Sequence, residues 1–306
     1  MIPQRFSDRV LRHAMSVYTI PTYPLILAIQ GPPGVGKTYQ TNRCLVDARF
    51  KVFRAPAATL SGQHERDSVD RFMELYEAAR KHIIERDAPS PAILIEDFDL
   101  SGAVRLENTE YTVNQQLLVS ALMHLCDGVD LNGRNADRIP IYFTGNNFTK
   151  LHQPLKRHGR LDVFTWQPDT DERVAILSDM VGGMAVDPDA CARELASELS
   201  DAPMSLLRFI LDDMQSMYMY QQISASYALG NVRWNQANFE TYRDVRTERF
   251  VNDFRFRYRS LESTVDFLHS EKVKGDSKGC KRTGIVTDFC MMIRKRRESR
   301  GFSLLP

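Results

Sequence analysis

The chain has 306 residues, of which 43% are hydrophobic and 26% charged, and its net charge is +1. That length exceeds one minimal domain and suits a large domain joined to a smaller one, and the composition is that of a folded globular protein, which excludes a disordered chain. The longest apolar run, around Pro24 to Ile29, falls far short of the roughly 20 residues needed to cross a bilayer, so no membrane contact is expected.

The opening MIPQRFSDRVLRHAMSVYTIP carries three arginines among polar breaks. It lacks the continuous apolar core and small-residue cleavage site of a secretory signal, and a cytoplasmic location is expected. The five cysteines Cys44, Cys126, Cys191, Cys280 and Cys290 are odd in number and widely spaced. Without a CxxC pair they read as reduced, buried thiols rather than as a disulfide framework or a zinc site.

A first strand is expected at 25–29 (LILAI), followed at once by GPPGVGKT. These residues, Gly31, Pro32, Pro33, Gly34, Val35, Gly36, Lys37 and Thr38, satisfy GxxxxGK[ST] in the strand–loop–helix context that a P-loop requires. Glycines let such a loop fold tightly enough for its N–H groups to point at phosphate oxygens, and the helix N-terminus adds positive potential. Lys37 is placed for the β- and γ-phosphates of ATP and Thr38 for Mg2+.

A second strand is expected at 51–55 (KVFRA), then a loop over 58–68 containing Leu60 and His64. Val69, Phe72, Met73, Tyr76, Ala79 and Ile83 recur at three- and four-residue spacing, one stripe of a helix packed on a sheet. The third strand, 92–96, runs into carboxylates as ILIEDFD. Beside a P-loop, Glu96 would hold the magnesium shell and Asp97 would polarise or deprotonate the attacking water; acids after a buried strand also serve as plain helix caps. The short Asp97 side chain has limited reach to that water, and slow hydrolysis is expected.

Val113, Leu117, Leu118, Ala121, Leu122 and Leu125 form the next helical stripe, ahead of a fourth strand at 139–145 (IPIYFTG). Asn146 follows it, either orienting a water at the γ-phosphate or simply supplying a turn. In PLKRHGRLD, Arg157 and Arg160 are three residues apart, expected on one side of a short helical turn. They are either a surface pair or, since Arg offers a rigid fork of donors, groups for charge on a transferring phosphoryl. A fifth strand at 162–166 (DVFTW) completes an α/β pattern: a five-stranded parallel sheet of the P-loop NTPase kind, flanked by helices.

After Trp166 the pattern is helical, with Asp169 as a capping residue and helices at 170–181, 189–199 and 204–222. The expected division is an N-terminal segment 1–23, an α/β nucleotide-binding domain 24–168, a smaller α-helical lid 169–265 and a basic extension 266–306. Arg208, early in the third of these helices, either reaches back to the nucleotide or is an ordinary helix-surface arginine. Residues 271–300 hold ten Lys or Arg against Glu271, Asp276, Asp288 and Glu298, a solvated tail or a contact for nucleic acid or an acidic partner.

GPPGVGKT, ILIEDFD, TGN and RHGR in this order, with helices behind, resemble the AAA+ superfamily. Within it, PLILAIQGPPGVGKTYQ (24–40), YTVNQQLLVSALMHL (111–125) and IPIYFTGNNFTKLHQPLKRHGRLDVFTW (139–166) are similar to Rubisco activase, over about residues 24–181. The resemblance implies P-loop, metal-binding and sensor-1 roles for Lys37, Thr38, Glu96, Asp97 and Asn146, and arginine fingers acting in trans for Arg157 and Arg160. It implies a homo-oligomeric ring, a hexamer, and a sensor-2 role for Arg208. It also makes Asp97 compatible with turnover, since Rubisco activase carries Asp, preceded by Asn, at these two positions. Plant activases have a folded segment ahead of this module that contributes to gripping Rubisco, and no counterpart is expected in the 23 residues before the first strand.

Two function classes follow. One is a ring ATPase that remodels a protein client, with the 58–68 loop, which lacks an aromatic residue, facing the pore. The other is an ATP-switched nucleic-acid-associated loader or a component of a defence or mobile-element assembly, resting on the basic end and its RKRR at Arg294 to Arg297; no helix-turn-helix, zinc finger or RNA-recognition pattern accompanies it.

Overall fold

The computed structural model describes residues 2–60, 67–84, 89–100, 113–129, 135–149, 151–157, 159–228 and 247–261. Two compact units are present: residues 1–255, and 256–306, of which 256–261 are described and helical. His64, Cys280, Cys290 and the basic stretch 271–300 lie outside the described residues.

The first unit carries five parallel strands: β1 (Ile26–Gln30), β2 (Lys51–Pro56), β3 (Pro91–Glu96), β4 (Ile141–Thr144) and β5 (Leu161–Thr165), in the order β2-β3-β4-β1-β5. Their composition follows from this order. β1 lies inside the sheet between β4 and β5, and Ile26 through Ile29 are all buried, which is why it reads as one continuous apolar run. At the two edges, β2 has no fully buried position and β5 alternates exposed with covered ones. The crossover that sets β4 beside β1 pairs Ile29 with Thr144, so the residues after β4 emerge next to those after β1.

The helices are α1 (Gln4–Thr19), α2 (Lys37–Asp47), α3 (Asp67–Ile84), α4 (Val113–Cys126), α5 (Thr170–Val181), α6 (Pro188–Glu198) and α7 (Met204–Ala228). Val69, Phe72, Tyr76 and Ala79 of α3 and Leu118, Ala121, Leu122 and Leu125 of α4 enter one core with Ile93, Ile95, Ile141 and Phe143 of the sheet. Leu60 is 3% exposed and part of this core, which corrects the expectation that it faces a client: its side chain is spent on packing. Asp169 caps α5 as expected, accepting from Glu172 N at 2.9 Å while Glu172 accepts from Asp169 N at 2.9 Å.

The helix α1 has no counterpart among the expected elements. Phe6, Val10, His13, Ala14 and Val17 are its buried side, and the Tyr142 hydroxyl of β4 donates to the Val10 carbonyl at 2.9 Å. His13 is fully buried, edge-on to Tyr142 with ring centroids 5.1 Å apart, and neither ring nitrogen has a hydrogen-bond partner. Burial pushes its pKa from 6.5 down to about 3. The unfolded chain therefore binds this proton first, and the stability tied to neutral His13 is lost as pH falls below about 6.5. Relative to His13→Phe, the wild type is expected to lose about 2 kcal/mol more between pH 7 and pH 5, measured as urea midpoints across that range. Parallel losses in the two proteins would show that His13 does not set the acid limit.

Candidate nucleotide site

The loop Gly31–Gly36 joins β1 to α2, and each of its three glycines has a positive φ. Gly31 is the tightest point: a Cβ there would lie 2.0 Å from the Trp166 carbonyl oxygen, so only glycine lets the loop leave β1 past the end of β5. Trp166 is fully buried and holds the loop from below, its indole N–H donating to the Val35 carbonyl at 3.3 Å and its backbone N–H to Gln30 O at 2.7 Å. Phe6 packs edge-on against that indole at 4.8 Å, and the Arg5 guanidinium lies over it at 4.8 Å. Arg5 also donates to both Glu172 oxygens, at 2.9 and 2.7 Å, and to Gln167 O. The Glu172 carboxyl is accordingly held below its ordinary range, first by Arg5. A second support comes from α7, where Ser205 N donates to the Gly34 carbonyl at 3.0 Å.

Lys37 opens α2 and is 7% exposed. Its ammonium donates to Gly31 O at 2.8 Å, Pro32 O at 2.7 Å and the Asn146 side-chain oxygen at 3.1 Å. All three donors are thus directed, and Asn146, sent there by the β4–β1 pairing, is brought onto the P-loop lysine. Burial lowers the Lys37 pKa, while the charges of Asp99 and then Asp97 oppose that shift. The Thr38 hydroxyl lies 2.8 Å from that of Thr144, which in turn accepts from Asp97 N at 3.4 Å. Asp97 has φ 52° and is exposed, so the chain turns sharply at the end of β3 and presents this carboxylate at the mouth of the site.

Glu96 is arranged otherwise. Its carboxylate pairs with Arg54 of β2, at 2.6–2.7 Å, and it is Asp97 and Asp99 whose charges act on Lys37. Arg157 and Arg160 do not share a helical turn, which corrects the expectation above: the 3-10 turn ends at Lys156, Arg157 is extended (φ −62°, ψ 143°), and its guanidinium is exposed with no partner among the described residues. Arg160 is tied within its own chain, donating to both oxygens of Asp127 at 3.0 and 2.7 Å and to Pro154 O at 3.0 Å. Arg208, exposed, pairs with Asp212 one turn on at 2.9 Å; it lies one turn beyond Ser205, the residue that touches the P-loop.

A hydroxyl at Thr38, carboxylates on β3 and a buried ammonium on the loop form a hard-oxygen and cationic set suited to Mg2+ with a polyphosphate. The family model for the ATPase family associated with various cellular activities (AAA) matches residues 27–169. Residues 27–169 are an AAA ATPase domain. The matched span begins in β1 and ends at the Asp169 cap of α5, so the AAA domain holds every residue described above except those of α1, Glu172 and α7. The chain is also similar to ribulose bisphosphate carboxylase/oxygenase activase from a Nostoc strain, 32% identical over 219 residues, 68% of this chain and 51% of that protein. The chloroplastic activase of Malus domestica is 32% identical over 57% of this chain and 42% of its own length. That of Zea mays is 30% identical over 61% and 45%. The chain therefore spans about half the length of the curated relatives it matches. Among the described residues, no helix is long and apolar enough to cross a membrane.

Sequence reasoning missed Trp166, Thr144, Asp99, Arg54 and Asp127. Thr144 and Asp99 stood inside the quoted motifs and were legible as polar residues next to named ones. Arg54 and Asp127 carry no local signal, because their partners are 42 and 33 residues away.

Proposed function

We propose that this chain binds and hydrolyses Mg-ATP in a closed homo-oligomeric ring, a hexamer, and couples hydrolysis to remodelling a protein client. The observation that carries this is the convergence of Lys37, Asn146, Thr38 and the carboxylates of Asp97 and Asp99, just after β3, at the ends of β1, β3 and β4. In this scheme Lys37 neutralises the β- and γ-phosphates, Asn146 orients the attacking water and Asp97 accepts its proton. Thr38 would hold the magnesium, with Glu96 available to its shell once released from Arg54, and the metal would neutralise phosphate charge when bound. Helices α5, α6 and α7 belong to the lid, and Arg208 contacts the nucleotide from it. Relatives named as ribulose bisphosphate carboxylase/oxygenase activases support a protein as the client class.

Arg157 and Arg160 complete the neighbouring subunit's site. Arg157 has no partner to leave among the described residues, whereas Arg160 must first leave Asp127. Each change to Ala is expected to lower ATP turnover at least tenfold, since a trans arginine supplies on the order of a thousandfold or more, while the subunit's own ATP affinity stays within about threefold. Mixing tests the direction of action: Arg157→Ala with Lys37→Ala subunits should regain turnover where an intact arginine meets an intact P-loop. If no mixing ratio rescues, the arginines do not act in trans.

The alternative, an ATP-switched nucleic-acid-associated protein, makes the opposite forecast in one assay. ATPase rate is measured across a salt series with single- and double-stranded DNA or RNA, and with ribulose bisphosphate carboxylase/oxygenase in its inhibited form. Remodelling requires stimulation by a protein and none by nucleic acid. Salt-sensitive stimulation by nucleic acid, lost on neutralising Arg294 to Arg297, would overturn it.

A further inference from the structure

Asp99 has no part in the roles assigned so far, yet it is the residue on which the Asn146 turn is built. It sits three residues past the end of β3, in a 3-10 turn at Phe98–Leu100. Phe98 anchors that turn by stacking on Phe143 of β4, centroids 3.9 Å apart and planes 14° from parallel, both rings buried. From there one Asp99 oxygen, Oδ2, accepts two successive backbone N–H groups, Asn146 at 2.7 Å and Asn147 at 3.3 Å. The other, Oδ1, is buried without a hydrogen-bond partner. It lies so close to the chain that a Cβ on residue 145 would approach it to 2.6 Å, and Gly145 is what admits the carboxylate.

Two adjacent N–H groups aimed at one carboxylate oxygen fix the orientation of the peptide that carries the Asn146 side chain, through charge-assisted bonds that are stronger than neutral ones. The Asn146 side-chain oxygen then meets the Lys37 ammonium at 3.1 Å. A plain turn after β4 needs neither the half-buried carboxylate nor the stacked ring pair beneath it. Leaving Oδ1 buried and unpartnered is a cost that is offset only if the position of this turn matters.

We propose that Asp99 is a positioning residue for ATP hydrolysis, holding the Asn146 turn so that the Asn146 amide stands between Lys37 and the attacking water. The inference rests on the proposed role of Asn146 in orienting that water. Asp99 touches no reacting atom and acts through its neighbour.

A double-mutant cycle in the full-length chain tests it, with kcat and ATP affinity read separately. Asn146→Ala and Asp99→Ala should each lower kcat at least tenfold with ATP affinity within threefold of wild type. The double variant should be no more than threefold worse than the poorer single, because the second change removes something already lost. Asp99→Asn, whose carboxamide oxygen still accepts from both N–H groups, should recover at least fivefold over Asp99→Ala. Losses that multiply in the double variant, an Asp99→Ala defect confined to ATP affinity, no recovery with Asn, or wild-type turnover in Asp99→Ala beside an impaired Asn146→Ala would each overturn the role of Asp99. Wild-type turnover in Asn146→Ala would instead remove the role of Asn146, and that of Asp99 with it. Should Asp99→Ala not fold, Asp99→Ser, too short to span both N–H groups, takes its place in the cycle with the same expected and overturning results.

Discussion

Lys37→Ala is expected to weaken ATP binding at least a hundredfold, about 2.7 kcal/mol, as measured by calorimetry on the full chain with magnesium present. The Lys37 ammonium is almost fully buried and its three donors are aimed at Gly31 O, Pro32 O and Asn146. On the proposed function it is the cation that the loop presents to the phosphates. A charge-assisted hydrogen bond contributes about 1.5–3 kcal/mol, so losing the ammonium at the triphosphate accounts for the whole effect without any change in fold. The same substitution frees the two loop carbonyls and the Asn146 amide, and turnover should vanish with binding. Unchanged affinity would mean that the nucleotide is held elsewhere, and the site built on β1, β3 and β4 would have to be abandoned.

Asp97→Asn is expected to leave ATP bound within about threefold of wild type and to lower single-turnover hydrolysis by about two to four orders of magnitude, the range of general acid–base contributions. The backbone at this position makes the substitution informative. Asp97 has φ 52°, and Asn and Asp are the side chains that tolerate this left-handed region with least strain. The Asp97 N–H, 3.4 Å from the Thr144 hydroxyl, is unaffected by the change. What is lost is the ability to accept a proton, because a carboxamide has no basic oxygen at neutral pH. Turnover at the wild-type rate would transfer the role of base to another carboxylate, with Asp99 and Glu96 the neighbours to examine. The same variant, loaded with ATP, provides a trap with which to recover the client.

How much of this was legible beforehand depended on the distance along the chain between interacting groups. The P-loop, the β3 carboxylates and Asn146 were legible because each lies within a few residues of an apolar run that identifies its strand, and a strand end is where such residues act. The five strands and the α5 cap were likewise local signals. α1 was not expected although Phe6, Val10, Ala14 and Val17 carry a helical spacing, because the three arginines and other polar residues of the same stretch interrupt its apolar positions. Two of those arginines turn out to be internal ties, Arg5 to Glu172 and Arg9 to Asp162.

The sequence by itself pointed to an α/β domain of the P-loop NTPase kind over residues 24–168, since a glycine-rich loop between a buried strand and a helix has few other uses. Only the tertiary structure decided which charged groups face one another. It put Asn146 on Lys37, Asp99 beneath Asn146, Glu96 on Arg54 and Arg160 on Asp127. Ion pairs and carboxylate caps join residues from separate strands, and their partners are chosen by strand order and register. Those follow from how all the apolar faces pack together, which no short stretch of chain contains.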